Sequence, residues 1–208
     1  MIGLIGKKIG MTQVFDDTGR LTPVTVIAVE PNTVIGQKTV EKDGYNAIVV
    51  GYREMKPIQI TKPYAGQFPE GVAPKKLMKE LRDFSEPVEV GQALGVALFE
   101  GTRFVDVSAV SKGKGFQGVV KRWGFGGGRS THGSKFHREP GSTGQNTYPH
   151  RTFKNKKLPG HMGSDNVTVQ NLKIVKIDVE NGFILVRGAI PGTRNSVVVV
   201  SSAVKKVK

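Results

Sequence analysis

Short apolar runs, rich in β-branched residues and separated by turn signals, fill both ends of this chain and are missing between them. Residues 1–15, MIGLIGKKIGMTQVF, read as strand and turn. Asp16-Asp17-Thr18-Gly19 then supplies a reversal. Leu21 to Val29 is a β-branched strand bounded by Glu30-Pro31-Asn32. Thr33–Thr39 and Tyr45–Gly51 follow as strands on either side of Asp43-Gly44. Four prolines, Pro57, Pro63, Pro69 and Pro74, then break the rhythm. Leu77, Met78, Leu81 and Phe84 fall on one face of a helical period, with Pro74 at its start and Pro87 as its stop. The spacing predicts an insertion over 52–90 carrying one short helix. A strand pattern resumes at Ala93–Phe99 and Phe104–Val110.

After residue 163 the pattern returns. Val167–Val179 reads as one long strand or two, with Val175, Ile177 and Val179 on a common face. Asn181-Gly182 is a type I′ hairpin signal leading into Phe183–Ile190, and Val197–Val200 is the last strand. The KKVK tail is expected to be mobile. Short strands at roughly ten-residue spacing predict a mainly β body, a barrel or a sandwich. Because strands lie on both sides of 111–163, that segment is a long excursion from one body. Loops of such length are normally functional or disordered.

Composition sharpens this picture. The chain has 208 residues, a net charge of +14 and 38% hydrophobic residues, enough for one domain or two small ones with a real core. Within 111–163 there are eleven lysines and arginines against one acid, Glu139, with twelve glycines and all four histidines. Most of the excess charge is therefore on one feature. Glycine at this density opposes regular structure, and no aliphatic run there could make a core. The partner such a segment fits is a dense field of phosphates. A membrane-surface helix is disfavoured by the glycine and proline. No cysteine is present, so disulfide and thiolate chemistry are out, which fits a cytoplasmic setting. The apolar N-terminus is too short for a signal peptide, and no window reaches transmembrane length.

The candidate RNA-binding residues are Lys112, Lys114, Lys121, Arg122, Arg129, Lys135, Arg138, Arg151, Lys154, Lys156 and Lys157, each able to meet phosphate. His132, His137 and His161 suit phosphate or ribose. Trp123, Phe125, Phe136, Tyr148 and Phe153, interleaved with the charges, suit stacking on unpaired bases; Trp123 and Phe116, nearest the base of the segment, are expected to pack locally. The histidines lack the tight pairs and thiolates of a structural zinc site, so no metal is expected. Gly124–Thr131 lacks the lysine of a phosphate loop, and no nucleophile elbow is present, so neither an enzyme nor a cofactor or small-molecule substrate is expected. Two other readings compete. One is a free-standing RNA- or DNA-binding regulator reading a single strand on a barrel face; the other is a factor that visits assembling ribosomes transiently. The first is disfavoured because the charge lies on a loop and not on a barrel face.

Several stretches resemble the bacterial large-subunit ribosomal protein family called L-three. They are the opening Met1–Phe15, and Phe99–Arg122 with Asp106, Ala109, Ser111, Gly113, Lys114, Gly115, Gly118 and Arg122. His132-Gly133-Ser134, Pro140–Gly144, Lys156–Gly163 and Val167–Leu172 complete the set. The resemblance runs nearly end to end. It implies a β-barrel body formed by 1–110 and 164–208, and an RNA-penetrating extension over 111–163. It further implies a structural role in the large subunit in the cytoplasm. By the same likeness the chain binds 23S ribosomal RNA near its 3′ end, early in assembly, beside other large-subunit proteins. The extension's tip, near Gln145, Asn146 and Thr147, would approach the peptidyl transferase centre.

In some members of that family a tip glutamine is methylated on its amide. The matching residue here is Thr147, which has no amide, and Gln145 matches an unmodified position. The tip peptide of the native protein is accordingly expected at its unmodified mass. A peptide containing Gln145 that is heavier by one methyl group would contradict this.

Overall fold

The N-terminal strand and the C-terminal strand of this chain pair with each other and close a barrel. In the computed structural model, which describes residues 1–16 and 18–206, the elements in chain order are β1 (Gly3–Phe15), β2 (Leu21–Ala28), β3 (Asn32–Lys38), α1 (Val40–Asp43), β4 (Ala47–Glu54), α2 (Lys62–Ala65), β5 (Lys75–Arg82), β6 (Ala93–Leu94), β7 (Phe104–Val110), β8 (Phe116–Gln117), α3 (Val119–Trp123), β9 (Gly160–His161), β10 (Asn166–Asp178), β11 (Phe183–Arg187) and β12 (Val197–Ser202). Six of these strands form the closed barrel, in the order β1-β12-β7-β10-β11-β2. The chain divides into two compact units, one of Met1–Val110 with Asn166–Lys208 and the other of Ser111–Asp165.

The barrel interior follows from strand alternation. Val200 pairs with Leu4 on one side and Val107 on the other, and all three are fully buried. Ile184 pairs with Ile27, again fully buried. Each such aliphatic side chain contributes about 1.5–3 kcal/mol by leaving water. Of the two architectures that the strand spacing allowed, the barrel is the one formed. Strands β3 and β4 are not part of it, however. They build a second sheet, in the order β5-β4-β3-β6, whose Val34, Ile48, Val50 and Leu81 join the barrel residues in one core.

Several local expectations are corrected. The stretch after Pro74 is not helical; it is β5, paired antiparallel along β4 from Ala47↔Arg82 to Glu54↔Lys75. Leu77 and Leu81, four apart, share a face in either period, and the open edge of β4 decided between them. The helical pieces of 52–90 are only a 3-10 turn at Pro57–Gln59 and the single turn α2. Ala93–Phe99 is strand for two residues, and a 3-10 turn over Val96–Phe99 then brings Val96 and Phe99, three apart, into the core. In β10 the register slips between Ile174 and Lys176. Ile174 and Ile177 therefore pack on the core, while Val175 and Val179 are exposed at 38% and 49%. Asn181-Gly182 does not form a two-residue turn. The connection from Asp178 to Phe183 is four residues long, and only Gly182 of the pair has positive φ, at +68°. The Asp178 carboxylate closes it, accepting from the Asn181 N–H at 3.0 Å and its side-chain amide at 2.9 Å. The next strand stops at Arg187 and does not reach Ile190. In the KKVK tail, Lys206 holds its ammonium 5.0 Å from the centre of the Phe104 ring, and residues 207 and 208 lie outside the described residues, as does Asp17 of the first turn.

Two buried polar side chains fix places where the ladder is interrupted. Asn32, fully buried where the chain passes from the barrel to the second sheet, accepts from the Ile5 N–H at 2.8 Å. Its amide donates to the Ile5 carbonyl at 2.9 Å and the Glu30 carbonyl at 2.8 Å. Asp106, 3% exposed, accepts from the Asn171 N–H at 2.7 Å, inside the bulge that shifts β10 against β7, and from the Val204 N–H at 3.3 Å. Replacing Asn32 by Ala strands the Ile5 donor and acceptor in the core, so Asn32→Ala should lower stability by about 2–4 kcal/mol. Urea unfolding of the full chain measures this, and a loss below about 0.5 kcal/mol would mean that the amide is not holding the crossing.

Candidate nucleic-acid interface

The unit Ser111–Asp165 starts as a two-stranded ribbon. Ser111 donates its N–H to the Asp165 carbonyl at 2.8 Å, and its hydroxyl accepts from the Asp165 N–H at 3.2 Å. Lys114 N–H reaches the Met162 carbonyl at 2.9 Å and Met162 N–H the Gly115 carbonyl at 3.0 Å; β8 and β9 then pair through Phe116↔His161 and Gln117↔Gly160. The two arms approach so closely at Gly163 that a Cβ there would fall 2.2 Å from the Lys112 carbonyl oxygen, and its φ is +79°. Only glycine meets both demands.

Above the ribbon comes a latch built on one acceptor. Helix α3 ends at Gly124 in the left-handed conformation. Its Arg122 guanidinium donates to the Leu158 carbonyl at 2.7 Å, and the indole N–H of Trp123 donates to the same oxygen at 2.9 Å. Arg122 also lies 4.9 Å from the Trp123 ring centre, and the Lys157 ammonium 5.9 Å from it. Val119, the first residue of α3, is the one fully buried residue among 111–165. Beyond the latch the chain runs without strand or helix from Gly124 to Pro159. Isolated hydrogen bonds shape it: Gly128 N–H to the His137 carbonyl at 2.9 Å, His137 Nδ1 to the Arg129 carbonyl at 2.9 Å, and the Ser142 hydroxyl to the Gly144 carbonyl at 2.7 Å.

Lys112, Lys114, Lys121, Arg129, Lys135, Arg138, Arg151, Lys154, Lys156 and Lys157 are all exposed. None of them, nor Arg122, forms an ion pair among the described residues. Arg122 differs from the others because it is half-buried and its guanidinium is committed to Leu158. His132, His137 and His161 are exposed, as are Gln145, Asn146 and Thr147. The aromatic rings divide into two groups. Trp123 is held in the latch, Phe125 is half-buried, and Phe136 lies against Gly128 and Gly141. Tyr148 is 90% exposed, and Phe153, 54% exposed, carries Arg151 5.5 Å over its ring. Phe116 does not pack locally as its place near the base suggested. The side chain is 77% exposed, because in the two-residue strand β8 its neighbour Gln117 takes the inner side.

Among the described residues no group of three His, Asp or Glu side chains converges as a metal site, and no helix is long and apolar enough to cross a membrane. What the unit offers is cation density, accessible rings and a backbone with almost no core. The Leu158 latch was not foreseeable from spacing, since Trp123 and Leu158 lie 35 positions apart. The pairing of lysine-rich 154–157 with Trp123 is a weak signal of it at most.

A family model described as "Ribosomal protein L3" matches residues 78–182. The large ribosomal subunit protein uL3 of Treponema denticola is 61% identical over 208 residues, covering 100% of both chains. Its counterpart in Treponema pallidum is 60% identical over 206 residues, covering 99% of each, and that of Borrelia hermsii is 50% identical over 207 residues, again 99% of each. These relatives are ribosomal proteins, structural parts of a ribonucleoprotein and not enzymes. With a matched model over half its length and relatives aligned end to end, the chain belongs to the bacterial ribosomal protein L3 family.

Proposed function

We propose that this chain is a structural, RNA-binding component of the large ribosomal subunit in the cytoplasm. Residues 1–110 and 164–208 form the anchoring body, and 111–163 is an extension that enters folded 23S ribosomal RNA. Binding is near the RNA's 3′ end and early in assembly, the tip at Gln145–Thr147 reaches toward the peptidyl transferase centre, and other large-subunit proteins are neighbours. The observation that carries this reading is the set of ten exposed cations without acid partners in a unit holding one buried residue. Such a unit has little of its own to order it. Crowded phosphates supply the missing counter-charge, and the ordering entropy is charged to binding. Arginine forks and lysine point charges let RNA strands approach one another across the segment. Tyr148, Phe116 and Phe153 are the rings exposed by more than half of their surface and open to stack on bases. Lys112, Lys114 and Lys121 serve the ribbon end, and Arg129, Lys135, Arg138, Arg151, Lys154, Lys156 and Lys157 the region past the latch. His132, His137 and His161 are donors to phosphate or ribose. Arg122 and Trp123 hold the ribbon, and the remaining guanidinium N–H groups and the exposed indole face meet phosphate and base.

Binding to a 3′-region fragment of 23S ribosomal RNA, followed across a salt series, tests this. Changing Arg129, Lys135, Arg138, Arg151 and Lys154 together to Gln should weaken binding by roughly a hundredfold at moderate salt. It should also flatten the salt slope by about 1 for each phosphate no longer neutralised. An unchanged slope would remove the phosphates as partners of this segment. Deleting 124–160 should leave a body that still unfolds cooperatively while RNA affinity falls; loss of cooperativity would show that the body depends on the segment.

A further inference from the structure

The barrel carries a second group of cations that the extension does not account for. Asp16, Arg20, Thr22, Lys173, Val175 and Arg187 line a cleft of about 320 Å³. They come from the β1–β2 turn and from β2, β11 and β10, which are neighbours around the barrel. The register explains the convergence. Ile174 pairs with Val186, so Lys173 and Arg187 occupy adjacent positions, and Arg187 pairs with Val24, two residues from Thr22. The bulge in β10 turns Val175 outward into the same cleft.

The charges there are unbalanced. Among the described residues Asp16 is the one acid in the lining, and its carboxylate is already engaged. One oxygen accepts from the Thr18 hydroxyl at 2.6 Å, the Arg20 N–H at 2.8 Å and the Thr18 N–H at 3.1 Å. These bonds, the Thr18 hydroxyl foremost, hold the Asp16 carboxyl below its ordinary pKa, so it stays ionised. No acid lies within ion-pair distance of Arg20, Lys173 or Arg187 among the described residues. Among the described residues three cations therefore face one anion between protein walls, which concentrate the field. Among the described residues no aromatic side chain lines the cleft to offer a base a stacking surface. Two guanidiniums, an ammonium and the Thr22 hydroxyl suit the oxygens of a phosphodiester, the part of a nucleic acid that positions without specifying sequence.

We propose that this cleft is a second RNA-binding site, a place on the barrel for the sugar–phosphate backbone, using none of the residues of the extension. It rests on the reading of the chain as an RNA binder. Two measurements on the full-length protein test it. In the first, Arg20→Gln, Lys173→Gln and Arg187→Gln are combined, and binding to the 3′-region fragment of 23S ribosomal RNA is followed against salt. The expected result is a loss of roughly tenfold in affinity and a salt slope flatter by about 1 for each phosphate left without its cation, up to about 3. If the unaltered protein binds the fragment and the triple variant matches it in affinity and slope, the cleft proposal falls while the extension's role stands. If the unaltered protein itself does not bind, the RNA reading of the whole chain falls. The second measurement does not depend on the triple variant folding. The chain has no cysteine, so Arg187→Cys gives a unique attachment point for a short photo-crosslinker. In large subunits assembled with this variant, cross-links to RNA are expected. Cross-links to protein alone would overturn the proposal in favour of an acidic protein surface, and absence of any cross-link would show the cleft facing solvent.

Discussion

Strands β7 and β10 lie side by side in the barrel although the whole of Ser111–Asp165 separates them in the chain. Val110 at the end of one pairs with Asn166 at the start of the other. Closing a loop of this length costs about 3–4 kcal/mol of chain entropy before anything within it is ordered. The pairing of β7 with β10 on one side and β12 on the other, with Val105 and Val107 fully buried, offsets that cost within the body. The ribbon repeats the same solution within its own unit, from Ser111–Asp165 through Lys114–Met162 to the shared carbonyl of Leu158. Each rung shortens the loop that is left. Order therefore decreases along the segment in a graded way, from a hydrogen-bonded base to a tip with no rung at all.

The same gradation is electrostatic. Near the base, Arg122 has found a carbonyl and Trp123 two cations for neighbours. Past the latch, arginines and lysines meet no acid, and their repulsion in water works against any compact arrangement. A segment of this kind becomes ordered in company with an anion lattice. The body, by contrast, carries its ion pairs internally, as in Lys38–Glu80 at 3.1 Å and Lys75–Glu54 at 3.1 Å. Among the described residues the ion pairs therefore all lie in the body, although Arg20, Lys173 and Arg187 there also stand without an acid at ion-pair distance.

How much of this was legible in the sequence differs by element. Strands dense in β-branched residues, such as Leu21–Ala28 and Val197–Ser202, stood out because that pattern agrees with the burial of Val24, Ile27, Val198 and Val200. The 77–84 stretch misled because Leu77 and Leu81 fit two periods, and only the open edge of β4, a feature of the fold, could choose. Val175 and Ile177 seemed to share a face because alternation assumes a regular ladder, and a bulge is invisible until the partner strand is known. At the candidate interface the cations were legible one by one from charge alone. The commitment of Arg122 and Trp123 to Leu158 was not, since it depends on two arms meeting across 35 residues. The cleft at Arg20, Lys173 and Arg187 escaped for the same reason, being assembled where the β10–β11 hairpin pairs with β2, from two distant parts of the chain.

Barrel closure has one more consequence, in time and not in space. β1 is made first, and its partner β12 is made last. At roughly 5–20 residues per second, the basic segment is complete about 2–8 s before the strand that seals its own body has been synthesised. During that interval the nascent chain presents its densest positive charge with the barrel still unsealed. The order of synthesis thus sets the charged segment ahead of the closure of the body that carries it.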